Sequence, residues 1–416
     1  MAGGLIELIA KGDQDTYLTV NPQITFFKMV YKRHTNFSIE TIEQVVDGSI
    51  NFGKKITCLI GRQGDLVHKI FFKVKLIAPS NFITLSSSAE YSNWINNIGY
   101  ALIESVVLKI GGTEIDTHYS EWFDIWNELT DFKMDQYNLI GKKVDQRELE
   151  FVETNTNEYL IPLNFWFNKN PGLALPLIAL QYHEVKLEIN LREIGSLVTT
   201  NETITSTTNS FSQNEFKVFV DYIYLDEDER QKFAQNKHTY LIEQVQQENH
   251  TNLSTNSNIK LRFNHPVKEL IWALRHKDRA TKSSTPALNF KASSTNGNDW
   301  FNYCGTSINT NLGLNTYDPF SRANIELNGQ DRFELKDALY FRRYQPYIYH
   351  SRIPQKHIYC YSFALDPEKS QPTGTCNFSR LDSKKLILKN IVSTDFELLV
   401  YAVNYNILNI EAGEAN

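Results

Sequence analysis

The ten histidines are the residues best suited to metal chemistry, and their spacing argues against it. A metal centre on a β-strand needs two imidazoles close together and a carboxylate nearby, because neutral His nitrogens and a Glu oxygen suit iron or manganese. No histidine occurs in an H-x-H pattern, and His350 and His357 are seven residues apart. We therefore expect no metal and no cofactor, and we predict no catalytic residue.

Other motifs that carry chemistry are also missing from the sequence. Cys58, Cys304, Cys360 and Cys376 form no C-x-x-C pair, so we interpret them as buried or free thiols in a reducing compartment. The chain has no G-x-S-x-G, P-loop or G-x-G-x-x-G run, and the D-x-D at 226–228 lacks the Gly and Glu of a calcium loop. The sequence indicates that the protein is not an enzyme.

Charge gives no sign of nucleic-acid binding. Charged residues make up 22% of the chain and the formal net charge is -6, so no general attraction to phosphate is expected. The basic cluster at 275–279 contains Asp278 and is too small to steer nucleic acid strongly. We expect no direct genome binding.

The N-terminus carries no recognisable targeting signal. It lacks a basic region, and the apolar run from Leu5 to Ala10 is too short for a signal peptide. The longest uncharged apolar stretch, around 171–183, is interrupted by proline and too short to span a bilayer. We expect a soluble protein that is cytosolic when made.

The elements suggested by composition are short strands. Aromatic residues make up 12% of the chain, Val, Ile and Thr are frequent, and Asn, Ser and Thr interrupt the apolar runs, which favours an all-β sandwich or barrel. A chain of 416 residues also favours two domains over one.

Self-similarity supports two copies of one domain. Residues 34–44 resemble 238–247 if one residue is skipped, and residues 64–74 resemble 264–274. Short amphipathic strands resemble one another by chance, so neither pair is decisive alone.

Two more pairs follow in the same order. Residues 106–116 match 323–333, each with alternating apolar residues before a turn at Gly112 or Gly329, and residues 216–226 match 396–406. A period near two hundred residues is too long for a solenoid. The order predicts two tandem eight-stranded antiparallel jelly rolls, over about 34–226 and 238–410.

Two short helices are predicted. A charged linker helix at 226–237 has Asp226 and Arg230 spaced for pairing one turn apart, as are Asp228 and Lys232. A second helix spans 121–129, with Ser120 as its cap. Its one-face apolar residues are expected in the core: Trp122, Ile125, Trp126 and Leu129.

Polar insertions should form surface loops between the strands. They cover residues 199–214, 249–258 and about 277–322, and their composition cannot bury enough apolar surface to form core.

Several long segments resemble the signature segments of nucleocytoplasmic large DNA virus major capsid proteins, particularly the phycodnavirus and mimivirus-like branch. The segments that carry this resemblance are NPQITFFKMVYKRHTNF (21–37), PLNFWFNKNPGLALPLIALQYHEVKLEI (162–189), DYIYLDEDERQKFAQNKHTYLIEQVQ (221–246), RFNHPVKELIW (262–272), CNFSRLD (376–382) and VYAVNYNILNI (400–410). The C-terminal EAGEAN departs from the more apolar tail of many relatives, which puts tail-mediated contacts in doubt.

The resemblance implies a structural subunit of an icosahedral shell. It implies an N-terminal arm at the capsomer base (1–25), a first jelly roll (26–226), a linker helix (227–237) and a second jelly roll (238–416). Three copies would form a homotrimeric capsomer with a pseudo-hexagonal outline. Its expected partners are neighbouring capsomers, minor capsid and penton proteins, and inner viral membrane proteins.

Shell assembly needs aromatic and aliphatic anchors at subunit interfaces. Two aromatic groups are candidates, one in the N-terminal segment and one before Pro171. The assembly-interface candidates are Phe26, Phe27, Tyr31, Phe165, Trp166 and Phe167. For each of them a packed interior position is the competing interpretation, since large aromatics are commonly buried.

Two other functions fit a jelly roll. A lectin-like protein would use loop aromatics such as Trp300, Tyr303 and Tyr317 to stack on a glycan, although such aromatics more often pack against their own barrel. A bicupin-type metalloenzyme would need the clustered histidines that the sequence lacks.

Overall fold

The computed structural model describes residues 3–79, 83–85, 92–130, 139–142, 157–200, 204–208, 210–211, 215–277, 300–307, 315–411 and 413–415. The chain divides into two compact units, Met1–Phe37 and Ser38–Asn416. The smaller unit contains helices α1 (Gly3–Ile9) and α2 (Asp13–Thr19), neither of which has a buried residue.

The first half of the larger unit is built from short strands. Its strands are β1 (Phe37–Gln44), β2 (Val46–Asp47), β3 (Lys55–Leu59), β4 (Leu66–Leu76), β5 (Ile83–Leu85), β6 (Ser92–Trp94), β7 (Ile103–Ile110), β8 (Thr113–Tyr119), β9 (Asn157–Pro162), β10 (Leu175–Pro176), β11 (Val185–Leu191), β12 (Val198–Thr200), β13 (Ile204–Thr207) and β14 (Glu215–Leu225). The helices among them are α3 (Ile98–Leu102), α4 (Ser120–Leu129) and α5 (Trp166–Lys169), with 3-10 turns at Pro171–Leu173 and Ile194–Ser196.

Two antiparallel sheets enclose the first core. One has the order β1-β14-β4-β10, with β9 also paired to β4, and the other has the order β2-β3-β11-β7-β8. Alternation along each strand sends every second side chain inward, so that β11 is buried at alternate positions. Phe72 and Val218 of the first sheet share one apolar cluster with Leu108 and Leu187 of the second sheet.

The second half repeats this construction after helix α6 (Glu227–Gln235). Its strands are β15 (His238–His250), β16 (Ser257–Lys260), β17 (Pro266–His276), β18 (Gly305–Ser307), β19 (Asn315–Tyr317), β20 (Arg322–Leu327), β21 (Gln330–Asp331), β22 (Lys336–Asp337), β23 (Ile358–Ser362), β24 (Cys376–Asn377), β25 (Lys384–Lys389), β26 (Phe396–Glu411) and β27 (Glu414–Ala415). A π-helical turn (Tyr340–Tyr344) leads into helix α7 (Gln345–Tyr349), and a 3-10 turn spans Phe378–Arg380.

The sheets of the two halves have the same strand order. The order β15-β26-β17, with β23 and β24 both paired to β17, reproduces β1-β14-β4, with β9 and β10 both paired to β4. The order β16-β25-β20-β21 reproduces β3-β11-β7-β8. Each of the four segment pairs found in the sequence falls on equivalent strands, which confirms the internal repeat. The fold is two tandem antiparallel jelly rolls.

The matched glycine turns are real and have the same geometry. Gly111 and Gly112 join β7 to β8, while Asn328 and Gly329 join β20 to β21, each as a two-residue turn. All four have positive φ, from 50° to 82°. Such turns match the right-handed twist of the strands that they join, which is why glycine and asparagine occur there.

Two polar segments differ from the loops predicted for them. The 199–214 segment contributes to two ribbons, in which β12 pairs with β6 and β13 pairs with β5. Asn249 and His250 belong to β15 and pair with β26. Backbone pairing to distant strands overrides the polar composition in both places. Most of the 277–322 stretch lies outside the described residues.

The linker helix is confirmed as α6, but its predicted side-chain pairing is wrong. Asp226 caps the helix, since its Oδ1 accepts a hydrogen bond from the Glu229 amide at 3.0 Å. Arg230 pairs with Asp65, with 3.1 Å between Nε and Oδ1. The helical spacing predicts that the Asp226 carboxylate pairs with Arg230, but this carboxylate accepts the capping hydrogen bond instead.

Candidate assembly surfaces

Helix α4 joins the two jelly rolls. All of its residues are buried, which confirms the core position predicted for Trp122 and Trp126. The Trp122 ring centroid lies 5.5 Å from that of Trp126 and 5.5 Å from that of Tyr401 on β26. The first core therefore continues onto the outer face of a sheet in the second jelly roll, where Ile271 and Leu399 belong to the same apolar cluster.

The cap of α4 differs from the prediction. Tyr119 is the residue before the first turn, and Ser120 is the first helical residue. The Ser120 hydroxyl donates to Glu121 Oε2 at 3.0 Å and accepts from Arg192 Nη2 at 2.6 Å. Ser120 therefore links Glu121 to Arg192 within the first jelly roll instead of capping the helix.

A buried ion triad crosses this contact. Arg275 on β17 lies 2.7 Å from Glu121 of α4 and 2.6 Å from Glu397 of β26, measured between guanidinium nitrogens and carboxylate oxygens. Burial would raise the pKa of Glu121, but Arg275 and Arg192 bring it below its ordinary value. The carboxylate is thus held ionised where an unpaired charge would be very costly.

A second buried carboxylate of α4 is paired with the second jelly roll. Lys356 Nζ lies 2.5 and 2.7 Å from the two carboxylate oxygens of Asp124. Lys142 pairs with Glu128 one turn further along the helix, and Glu128 also accepts the Gln355 amide at 3.2 Å. Burial, reinforced by Glu128, raises the pKa of Asp124 despite the attraction of Lys356.

A third pairing lies at β15. Glu243 is contacted by Lys169 of the first jelly roll at 2.9 Å and by Lys268 of the second at 2.5 Å. Burial would raise the pKa of Glu243, but the two lysines hold it below its ordinary value.

The second jelly roll also holds a buried histidine between two carboxylates. His350 Nε2 lies 3.0 Å from Glu269 Oε2, and its Nδ1 lies 3.1 Å from Glu368 Oε1. Burial would lower the pKa of His350, but Glu269, the Cys360 thiol and Glu368 keep it well above its ordinary value. Its partners make His350 a structural cation. Among the described residues, no group of three His, Cys, Asp or Glu side chains is arranged to hold a metal ion.

The N-terminal candidates are exposed. Phe26, Phe27 and Tyr31 are 90%, 98% and 81% exposed, and they lie in the unit that ends at Phe37. Large apolar side chains that remain in water are typical of surfaces that a partner covers. No helix in the described part of the chain is both long and apolar enough to cross a bilayer.

The second group of candidates is corrected. Phe165, Trp166 and Phe167 are 0%, 2% and 0% exposed, so they offer no surface to a partner. Phe165 stacks on His118 at 4.3 Å between ring centroids, and Trp166 and Phe167 meet edge to face. The interior interpretation is the one that the structure supports, because α5 turns these rings into the first core.

The aromatics considered for glycan stacking pack against their own chain. Tyr303 is fully buried, and the Trp300 ring lies 3.6 Å from the Arg192 guanidinium while its Nε1 donates to the Ser196 carbonyl at 2.9 Å. Tyr317 is half-buried beside Gly305. None of these three side chains is free to stack on a sugar.

The charged contact between the jelly rolls is a feature that the sequence patterns did not predict. The sequence does contain a pattern that points to it: Glu121, Asp124 and Glu128 recur at helical spacing beside tryptophans that are predicted to lie in the core. Carboxylates on the buried side of a helix require cationic partners, but the pattern alone does not identify those partners.

Sequence models of known protein families match both halves of the chain. A model described as the major capsid protein N-terminus matches residues 25–226, and one described as the large eukaryotic DNA virus major capsid protein matches residues 229–416. The major capsid protein of Pyramimonas orientalis virus is 41% identical, over 99% of this chain and 98% of its own length. That of Paramecium bursaria Chlorella virus 1 is 39% identical over the same shares.

Solved structures agree with the sequence relatives. PBCV-1 VP54 superposes with a TM-score of 0.75 at 34% identity, covering 94% of this chain and 99% of that one. The Faustovirus major capsid protein superposes with a TM-score of 0.76 at 13% identity, covering 96% and 94%, so it supports the fold alone. The jelly roll is repeated, and the sequence is more than 30% identical to the two sequence relatives over nearly its full length. The chain therefore belongs to the family of large eukaryotic DNA virus major capsid proteins.

Proposed function

We propose that three copies of this chain form a capsomer with a pseudo-hexagonal outline, and that these capsomers tile the icosahedral shell of a large double-stranded DNA virus. The observation that carries the proposal is the shared strand order of the two jelly rolls. Two similar domains in one chain give six similar domains in a trimer, and such a trimer packs like a hexagon. Closed cyclic assembly of identical chains is the common form of protein oligomers.

The arrangement of the chain within the capsomer follows from the same proposal. An arm over 1–25 lies at the capsomer base, followed by jelly rolls over 26–226 and 238–416 and a linker helix over 227–237. The exposed Phe26, Phe27 and Tyr31 beside the arm support a role in assembly contacts. The proposed partners are neighbouring capsomers, minor capsid and penton proteins, and inner viral membrane proteins. The subunit is made in the host cytoplasm and acts without catalysis.

Sedimentation and electron microscopy of the purified protein test this proposal. We expect a particle three times the mass of the 48.1 kDa chain, with a hexagonal outline in projection. A protein that stays monomeric at micromolar concentration, or that forms dimers, would contradict the capsomer.

A further inference from the structure

Because the jelly roll is repeated, each of its surfaces occurs twice in the chain. One copy of the outer sheet surface is buried by a contact within the chain. In the second jelly roll, the outer face of the β15-β26-β17-β23 sheet is covered by α4. Ile271, Leu399 and Tyr401 on that face are 0%, 1% and 0% exposed. The first jelly roll has the same sheet, β1-β14-β4-β10, so its outer face is the counterpart of a buried contact surface.

Strand register identifies the matching residues on the two sheets. Phe71 lies opposite Phe219 across β4 and β14, as Ile271 lies opposite Tyr401 across β17 and β26. Both pairings shift register at the same place, just after Val67 in one sheet and Val267 in the other. Phe219 therefore occupies the position of Tyr401, the residue on which Trp122 packs.

This face of the first jelly roll has a partly open apolar centre, which we name the Phe71 face: Ile39, Phe71 and Phe219. The ion pairs Lys217–Glu43 and Lys73–Glu158 border it. The Phe71 and Phe219 rings stack with centroids 5.3 Å apart, and both remain half-buried. Ile39 on the neighbouring strand is 54% exposed. Aromatic and aliphatic side chains in this arrangement are typical of the centre of a protein interface.

The helix that covers the face is also repeated. The sequence WFDIW at 122–126 in α4 corresponds to YFRRY at 340–344, and each segment follows the two-residue hairpin of its jelly roll. Phe123 and Phe341 are each fully buried. The flanking rings form a close pair in both segments, with centroids 5.5 Å apart for the tryptophans and 5.1 Å apart for Tyr340 and Tyr344.

The second copy of this helix leaves its outer side uncovered. Tyr344, Tyr347 and Ile348 are 52%, 72% and 46% exposed, and their spacing places them along one side of the helical segment. We name these three residues the Tyr344 stripe. In α4 the corresponding side begins at Trp126, which lies 5.5 Å from Trp122, the ring that packs on Tyr401 of β26, measured between ring centroids.

We propose that the Tyr344 stripe of one copy packs on the Phe71 face of a second copy, and so repeats between chains the contact that α4 makes within the chain. This inference rests on the proposed capsomer. The contact joins two different surfaces head to tail, and such contacts form a ring when the rotation closes. With two jelly rolls in each chain, three within-chain and three between-chain contacts alternate around the ring.

The charges at the edge of the contact support a second copy of this chain as the occupant. Lys75 lies opposite Glu215 across β4 and β14, as Arg275 lies opposite Glu397 across β17 and β26. The third member of the buried triad, Glu121, corresponds to Leu339 in the WFDIW and YFRRY alignment. In the between-chain contact, Leu339 takes the place of Glu121, so an apolar side chain meets the Lys75 and Glu215 pair.

Cross-linking between copies tests the proposal without relying on folding energies. One preparation carries Phe219→Cys and a second carries Tyr344→Cys, both with Cys376→Ser because Cys376 is the native thiol that is not fully buried. The two are mixed, allowed to exchange, and treated with a short bis-maleimide. We expect a covalent dimer that contains one chain of each kind, and a ladder up to the covalent trimer when both cysteines are in one chain.

Matched controls define the outcome. Val392 is 52% exposed, as Tyr344 is, but lies between β25 and β26, so Val392→Cys should give no cross-link to Phe219→Cys. Tyr344→Asp should raise the dissociation constant of the trimer by roughly 30-fold or more, as expected for a central interface residue. Val392→Asp should leave that constant unchanged.

The two proposals fail in different ways. If the wild-type protein sediments as a trimer but cysteines at 219 and 344 do not cross-link, the proposed contact between the Tyr344 stripe and the Phe71 face is wrong. The proposed capsomer is then unaffected. If Tyr344→Asp and Val392→Asp weaken the trimer equally, that contact is also wrong. A wild-type protein that is monomeric and gives no cross-link overturns both proposals.

Discussion

Arg275 neutralises two carboxylates that come from different jelly rolls. Glu121 contacts Nη1 of its guanidinium and Glu397 contacts Nη2, and the three side chains are buried together. Buried ion pairs add little stability over an apolar replacement, but the loss of one partner leaves an uncompensated charge. At the scale of single residues, the interface is therefore much more sensitive to removal of one charge than to removal of all three.

Arg275→Met should lower the free energy of unfolding by about 3–5 kcal/mol, because Glu121 and Glu397 would remain buried without the cation that contacts both of them. Denaturant unfolding measures the change. Arg322→Met is the matched control, since Arg322 pairs with Asp337 at the surface and should cost less than about 1 kcal/mol. Adding Glu121→Gln and Glu397→Gln to Arg275→Met should restore part of the loss, and no recovery would contradict this explanation.

His350 predicts a pH dependence of opposite sign to that of Glu121 and Glu243, two buried carboxylates whose pKa values are lowered. Its folded pKa is raised, so its contribution is complete below the unfolded pKa of about 6.5 and is lost as the pH rises toward the folded value. The difference in unfolding free energy between wild type and His350→Gln should therefore shrink from pH 6 to pH 9. A difference that grows over this range would show that His350 is neutral in the folded protein.

At the scale of elements, two aromatic groups with similar composition have opposite environments. The segment that contains Phe26 and Phe27 remains exposed, while α5 places Phe165, Trp166 and Phe167 in the core. Large apolar residues contribute to stability only where the chain itself covers them. The first group is therefore available for assembly, and the second group maintains the fold.

Replacement of both Phe26 and Phe27 with Ser should weaken capsomer or lattice formation while leaving the melting temperature nearly unchanged. Phe165→Ser is the matched control and should lower the melting temperature strongly, because it leaves a cavity and buries a hydroxyl. Calorimetry measures the melting temperature, and sedimentation and electron microscopy measure assembly. Equal losses of melting temperature and assembly in the double variant would contradict the assignment.

At the scale of the whole molecule, the two jelly rolls share a core and should unfold together. The cluster that contains Trp122 extends from the first sandwich to Tyr401 in the second, and three sets of ion pairs cross the same contact. A rigid relation between the two domains suits a subunit that must present six similar domains at regular angles.

Calorimetry of the wild-type protein should show one transition, and Trp122→Ala should separate it into two, because this substitution removes the ring that joins the domains. Trp272→Ala is the matched control. Trp272 is equally buried but lies in the interior of the second jelly roll, so its loss should cost a similar 3–5 kcal/mol or so without separating the transitions. A single transition in Trp122→Ala would contradict this role of the Trp122 ring.

The sequence by itself determined the strands, their order and the repeat. Alternation along 106–116 and 323–333, and positive-φ turn residues such as Gly112 and Gly329, are local features that the backbone must satisfy wherever the strands lie. Only the tertiary structure decided which aromatics are buried and which charges pair. Arg230 pairs with Asp65 instead of Asp226, and Tyr401 is covered while its counterpart Phe219 stays partly open. The physical reason is that burial depends on which distant element packs against a surface, and the contact of α4 with β26 joins residues almost three hundred positions apart.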